Sequence, residues 1–151
     1  MAQMSQMRFQ PAILIPPGVG EASLKTALVD VLGVPTENVF RDATPEGCDY
    51  GRLFSEGYFV LHAYRRGAFG WMAEGFLADA AMGAGPLQAL SARLSVPVCV
   101  DRGESGARPN YVAYLPDRVI EGISVAEHED ADGEVYLTSK EMDRLRDDWT
   151  A

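Results

Sequence analysis

Two histidines, His62 and His128, are the only side chains here whose ordinary titration falls near neutral pH, so acid–base chemistry would have to start from one of them. His62 lies in Tyr58-Phe-Val-Leu-His-Ala-Tyr64, an aromatic strand pattern, and is expected to be a structural histidine. His128 lies among acids, between Glu127 and Glu129, in a stretch expected to be a loop. A nucleophile, a base and an orienting acid must meet in space for triad chemistry, and no nucleophile motif accompanies either histidine. Ser105 in Gly103-Glu-Ser-Gly106 does not satisfy the G-x-S-x-G pattern of a nucleophile elbow. The residues therefore nominate no catalytic group. An enzyme with a motif-free site remains an alternative, and it predicts a pocket at His62 with a convergent acid.

Other chemistries fail on residue type. Ile13 to Ser23 (ILIPPGVGEAS) has the outline of a phosphate loop, but Ile15 stands where its first glycine belongs, Glu21 replaces the lysine and Ala22 the hydroxyl residue. A carboxylate at that point opposes an anion and suits the positive end of a helix dipole instead. Glu127, His128, Glu129, Asp130, Asp132 and Glu134 are crowded, yet they lack the ligand order and central glycine of a calcium loop, so no metal or cofactor is expected. Cys48 and Cys99 are far apart and form no CxxC pair, which points to two free thiols.

The net charge is −9, and it is concentrated. From Leu115 to Ala151 there are eleven acids and four bases, so that quarter of the chain carries −7. An acidic surface repels nucleic acid and anionic lipid and attracts basic proteins. Arg65 and Arg66 form a pair at a turn rather than a basic patch. The chemistry on offer is thus charge-directed protein binding, with Glu127, Glu129, Asp130, Asp132 and Glu134 as the principal candidates. Asp49, in the Gly- and Pro-rich stretch Asp42 to Ser55, is a second candidate, and Arg65 and Arg66 are contacts to test.

These residues need a scaffold. At 151 residues the chain can bury roughly 68–70% of its unfolded surface without a metal or disulfide. A single domain is expected over 1–151, with 1–8 as a flexible leader. Met1 to Gln10 has one charge and no apolar core, and no apolar run approaches a membrane span, so the expected compartment is the cytoplasm. Leu24, Ala27, Leu28, Val31 and Leu32 make an amphipathic helix stopped by Gly33 and Pro35. Gly57 to Ala78 predicts a β-hairpin turning at Arg65-Arg66-Gly67, with Tyr58, Val60 and His62 on one face and Phe59 and Leu61 on the other. Phe9 to Ile15 predicts a first strand, kept from a fully central place by Pro11. Asp42 to Ser55, Arg102 to Pro109 and Glu127 to Gly133 read as loops or turns, and Glu134 to Leu137 as a last edge strand. Thr138 and Glu141 give a capping box for a C-terminal helix. About six short strands, mostly consecutive after residue 56, and two to three helices predict an α+β fold, a largely antiparallel sheet with helices mainly on one face.

Part of this rhythm is familiar. A helix ends in Leu32-Gly-Val-Pro35, Asn38-Val-Phe40 follows, and then comes the aromatic arm Tyr58-Phe-Val-Leu61. A leucine-rich helix leads to Val96-Pro-Val-Cys-Val-Asp101. Asn110-Tyr111 opens a strand turning at Pro116-Asp117, and an acidic stretch closes on Glu134-Val-Tyr-Leu137. Over most of its length the chain resembles small bacterial immunity proteins of polymorphic or secreted toxin systems. That resemblance implies a cytoplasmic inhibitor that binds one cognate protein toxin, a basic one if charge complementarity operates, with no catalytic residues carried across. A ligand-binding or oligomerising domain that exposes Trp71 is a further alternative.

Overall fold

The computed structural model describes residues 12–77, 83–105 and 108–149, with side chains at 103–110 excluded. The expected leader at 1–8 lies outside those residues, as do Phe9 to Pro11. The fold is α+β. Nine strands and four α-helices occur among the described residues: β1 Ala12–Ile15, α1 Glu21–Leu32, β2 Val39–Arg41, α2 Tyr50–Glu56, β3 Tyr58–Ala63, β4 Trp71–Phe76, α3 Ala84–Leu94, β5 Val98–Ser105, β6 Arg108–Leu115, β7 Arg118–Ile123, β8 Ala126–Glu129, β9 Val135–Thr138 and α4 Lys140–Asp147. A single 3₁₀ turn, Thr36–Asn38, precedes β2.

Seven strands form one sheet in the order β2-β3-β4-β1-β5-β6-β7. Only β2 and β3 run parallel; every other pair is antiparallel. β1 is the middle strand of this sheet, a more central place than Pro11 led us to expect. Its described part begins after that proline, so the ladder to β4 and β5 runs through residues that all have an N–H. Ile13 and Ile15 point to one side and Leu14 to the other, and all three are buried. A strand covered on both faces has no place for a polar residue, which explains its unbroken apolar sequence.

The first face carries α1 and α3. Leu24, Ala27, Leu28 and Leu32 of α1 and Leu87 and Leu90 of α3 pack on Ile13, Ile15, Phe59, Leu61, Val98, Val100 and Val112. Each such leucine stabilises the fold by roughly 1.5–3 kcal/mol through burial. α1 ends where expected: Gly33 is left-handed at φ +78° and its N–H bonds the Val29 carbonyl at 3.1 Å.

The second face is covered by α4 and a separate two-stranded sheet, β8–β9. Leu14, Phe69, Cys99, Ala113, Leu115, Ile123, Leu137 and Met142 form its core. Phe69 belongs to the link between β3 and β4, not to a strand. That link is residues 64–70, since Ala63 pairs with Trp71, so the short turn expected at Arg65-Arg66-Gly67 is a longer segment. Its length follows from packing. Ala68 and Phe69 drop into the second core, the Ala68 N–H bonds the Leu137 carbonyl at 2.8 Å, and Gly67 bridges to Leu137.

Four further expectations are corrected. Asp42 to Ser55 is not all loop, because it contains α2, capped by Asp49. Arg102 to Pro109 is not a turn over its described residues, because β5 runs to Ser105 and β6 starts at Arg108. Glu127 to Gly133 is not a loop throughout, because its first three residues lie in β8, which pairs with β9. The cap of α4 is Ser139, whose Oγ accepts from the Met142 N–H at 3.2 Å, while Thr138 Oγ1 meets His128 Nε2 at 2.8 Å. Ser139→Ala should therefore lower stability by about 1 kcal/mol in urea denaturation, and Thr138→Ala by less.

Candidate functional site

The acidic stretch is a hairpin with an internal frame. Asp130 makes that frame: its Oδ1 accepts from the Asp132 and Glu134 amides at 2.9 and 3.0 Å, and its own N–H bonds the Glu134 carbonyl at 3.0 Å. The Glu134 amide, with the Asp132 amide and the Arg66 and Arg65 charges behind it, holds the Asp130 carboxyl below its ordinary 3.8. A folded value below the unfolded one means that this carboxylate stabilises the loop fully above the unfolded value. The contribution is lost as pH falls through the folded value. In an NMR titration the Asp132 and Glu134 amide resonances should move together with a midpoint below 3.8, and Asp130→Asn should remove that transition.

The structure brings four predicted residues into contact. Arg65 Nε lies 3.2 Å from Glu134 Oε2, and Arg66 Nη2 lies 3.3 Å from Asp130 Oδ2. The Arg66 guanidinium also sits 3.9 Å over the Tyr136 ring, and His128 stacks on the same ring with centroids 5.0 Å apart. The arginine pair thus braces the hairpin from the β3–β4 link. Glu127, Glu129 and Asp132 are exposed and make no ion pair among the described residues. All four residues of β8 are exposed. The predicted cluster therefore divides: Asp130, Glu134, Arg65 and Arg66 shape the hairpin, and Glu127, Glu129 and Asp132 face outward.

Asp49 does not join them. Its carboxylate accepts from the Arg52 N–H at 3.2 Å as the N-cap of α2. α2 leads into the start of β3, whereas the acidic hairpin docks at the link beyond the other end of that strand.

His62 is not enclosed. It is half-buried, with Nε2 3.2 Å from Glu74 Oε1. In the β3–β4 register His62 faces Met72 and Val60 faces Glu74, so the two are diagonal neighbours on one face. They line an open groove of about 490 Å³ with Asp42, Thr44, Tyr50 and Tyr58. Asp42 is left-handed at φ +70°, held by its N–H to the Leu61 carbonyl at 2.9 Å. Tyr50 meets Thr44 through a 2.7 Å hydroxyl contact. The enzyme alternative expected a pocket at His62 with a convergent acid; the groove found there is open, and its acid, Glu74, was not identified from the sequence. What was missing was the length of the link, which sets the register.

The glycine turn after β1 does lead into a helix, and a cavity of about 600 Å³ lies beside it, lined by Gly18, Gly20, Ser23, Thr26 and Arg93. Arg93 on its wall pairs with Asp30 at 2.7 Å, and Glu21 at the start of the helix pairs with Arg41. Cys99 is buried, and burial pushes its thiol up to about 12, so it is inert. Cys48 is free and half-buried. Trp71 is no open patch, for its Nε1 donates to the Val19 carbonyl at 2.8 Å and Arg41 lies 5.0 Å over its ring. Among the described residues no group of three or more His, Cys, Asp or Glu is arranged to hold a metal ion, and no helix is long and apolar enough to cross a membrane.

Comparison with protein-family models, curated proteins and solved structures gives no match. The functional reading therefore rests on the hairpin and the groove themselves.

Proposed function

We propose that this chain is a protein-binding inhibitor that captures one basic protein partner, a toxin of the kind opposed by bacterial immunity proteins, in the cytoplasm. The observation that carries this reading is the β8–β9 hairpin: a braced acidic element with three outward carboxylates, Glu127, Glu129 and Asp132, that no arginine among the described residues neutralises. Such an element raises the encounter rate with a basic surface, and its bracing limits the ordering cost on binding. Acids on an exposed edge strand also discourage edge-to-edge aggregation. That role alone would not call for the arginine and Asx frame beneath them.

The test is co-expression with the product of the adjacent gene. The pair should co-elute in size exclusion, and the chain should relieve that protein's toxicity to the host cell. Separate elution together with undiminished toxicity would overturn the reading.

A further inference from the structure

Beside α2, the His62 groove opens on the sheet face that carries Val60, His62 and Glu74. We propose that this groove receives a cationic side chain, the guanidinium or ammonium of a basic polypeptide. This inference rests on the binding reading above and gives it a second contact point.

Three observations converge. Glu74 and Asp42 hold carboxylates whose side chains are 58% and 73% exposed. Glu74 is met by His62 alone among the described residues. Arg41 pairs with Asp42 at 3.4 Å and shares its guanidinium with Glu21 and the Trp71 ring, so Asp42 is only partly neutralised. Next, the groove wall is aromatic. Tyr50 and Tyr58 line it, and rings continue along α2, with Phe54 6.0 Å from both Tyr50 and Tyr58 and 4.9 Å from Phe76. Finally, both acids stand on fixed backbone: Asp42 is held by its N–H to the Leu61 carbonyl at 2.9 Å, and Glu74 lies in the β4 ladder opposite Val60.

Carboxylates beside phenol rings suit a planar cation, which can stack on a ring face and donate to a carboxylate together. Tyr50 and Phe54 remain 49% and 39% exposed. That ridge extends past the groove and offers apolar area to residues flanking the cation, as a polypeptide would use and a free amine would not.

The probe is the blocked tripeptide acetyl-Gly-Arg-Gly-amide, titrated into the full chain while the ring resonances of Tyr50, Tyr58 and His62 are followed by NMR. Saturable shifts at those three rings are expected, and the neutral citrulline twin should produce none. Glu74→Gln should weaken binding at least about fivefold, while Asp117→Asn, an exposed acid in the β6–β7 turn away from the groove, should stay within about twofold of the parent. Tyr50→Ala, on the helix surface, repeats the test if Glu74→Gln disturbs the amide spectrum. Equal binding of the citrulline twin, or full affinity in both Glu74→Gln and Tyr50→Ala, would overturn the proposal. Tighter binding of agmatine than of the tripeptide would assign the groove to a free amine and also overturn it. A silent titration would overturn the groove proposal and leave the co-elution result standing, whereas a failed co-elution would overturn the toxin-binding reading and leave the titration standing.

Discussion

Gly75→Ala should destabilise the fold by about 3 kcal/mol or more, a large part of the roughly 5–15 kcal/mol that holds a domain of this size. Gly75 pairs with Phe59 across β3 and β4. A Cβ there would overlap the Tyr58 carbonyl oxygen and come within 2.9 Å of Phe59 Cδ1. Neither obstacle is a flexible side-chain end. The oxygen belongs to the neighbouring strand's backbone, and the Phe59 ring is fully buried among the residues that α1 and α3 cover. Relief would require the two strands to part or the ring to leave its place, and overpacking of this kind is strongly destabilising. The measurement is the urea midpoint, with the slope checked for constancy. Gly67→Ala is the informative companion. Its Cβ would overlap the Leu137 carbonyl, and its φ of +96° already disfavours a side chain. It should release the β3–β4 link from β9 and lower amide protection in the acidic hairpin. The global midpoint should move less than for Gly75→Ala. A Gly75→Ala protein with an unchanged midpoint would show that β3 and β4 do not approach as closely as described.

The legible parts of this fold are those in which burial leaves a periodic trace. α1 was readable because Leu24, Ala27, Leu28 and Leu32 face one core and Gly33 ends the helix in a left-handed turn. The faces of β3 were readable from its alternation: Phe59 and Leu61 join the core under α1 and α3, while on the other side Val60 is buried and Tyr58 and His62 are half-buried. α2 left little trace. It buries only Leu53, spans seven residues and contains Gly51, so composition read as loop, and Asp49 read as a free acid rather than a cap. β8 left none. Its four residues are exposed, so no apolar alternation could mark it as a strand, and it is held instead by pairing to β9 and by the Asp130 turn. Which residues meet within the candidate sites failed to show for a related reason. His62 and Glu74 are twelve residues apart, and a register fixed by a seven-residue link brings them together. The division of the acids into braced and outward groups depends on arginines from that same link. Charge composition indicated where the acids concentrate, whereas which of them pair with arginine is a tertiary fact.

The outward group gives the second large effect. Neutralising Glu127, Glu129 and Asp132 together, as Gln, Gln and Asn, should slow association with the basic partner about tenfold or more at low salt, since steered encounters run orders of magnitude above the unsteered 10⁵–10⁶ M⁻¹s⁻¹. The dissociation rate should change little, because charges exposed this widely act on approach rather than on the desolvated contact. The difference should shrink as salt is raised, because at 1 M the screening length of about 3 Å isolates each carboxylate from anything it does not touch. Stability should be nearly unchanged, as none of the three makes an ion pair among the described residues. Asp130→Asn serves as the contrasting variant. It removes one charge as well, but that charge belongs to the frame formed with the Glu134 and Asp132 amides and Arg66. It should therefore loosen the hairpin and raise the dissociation rate, with the association rate falling by less than in the triple variant. Stopped-flow association at two ionic strengths, with dissociation by displacement, separates the two. An association rate in the triple variant equal to that of the parent at low salt would remove the hairpin from the encounter surface.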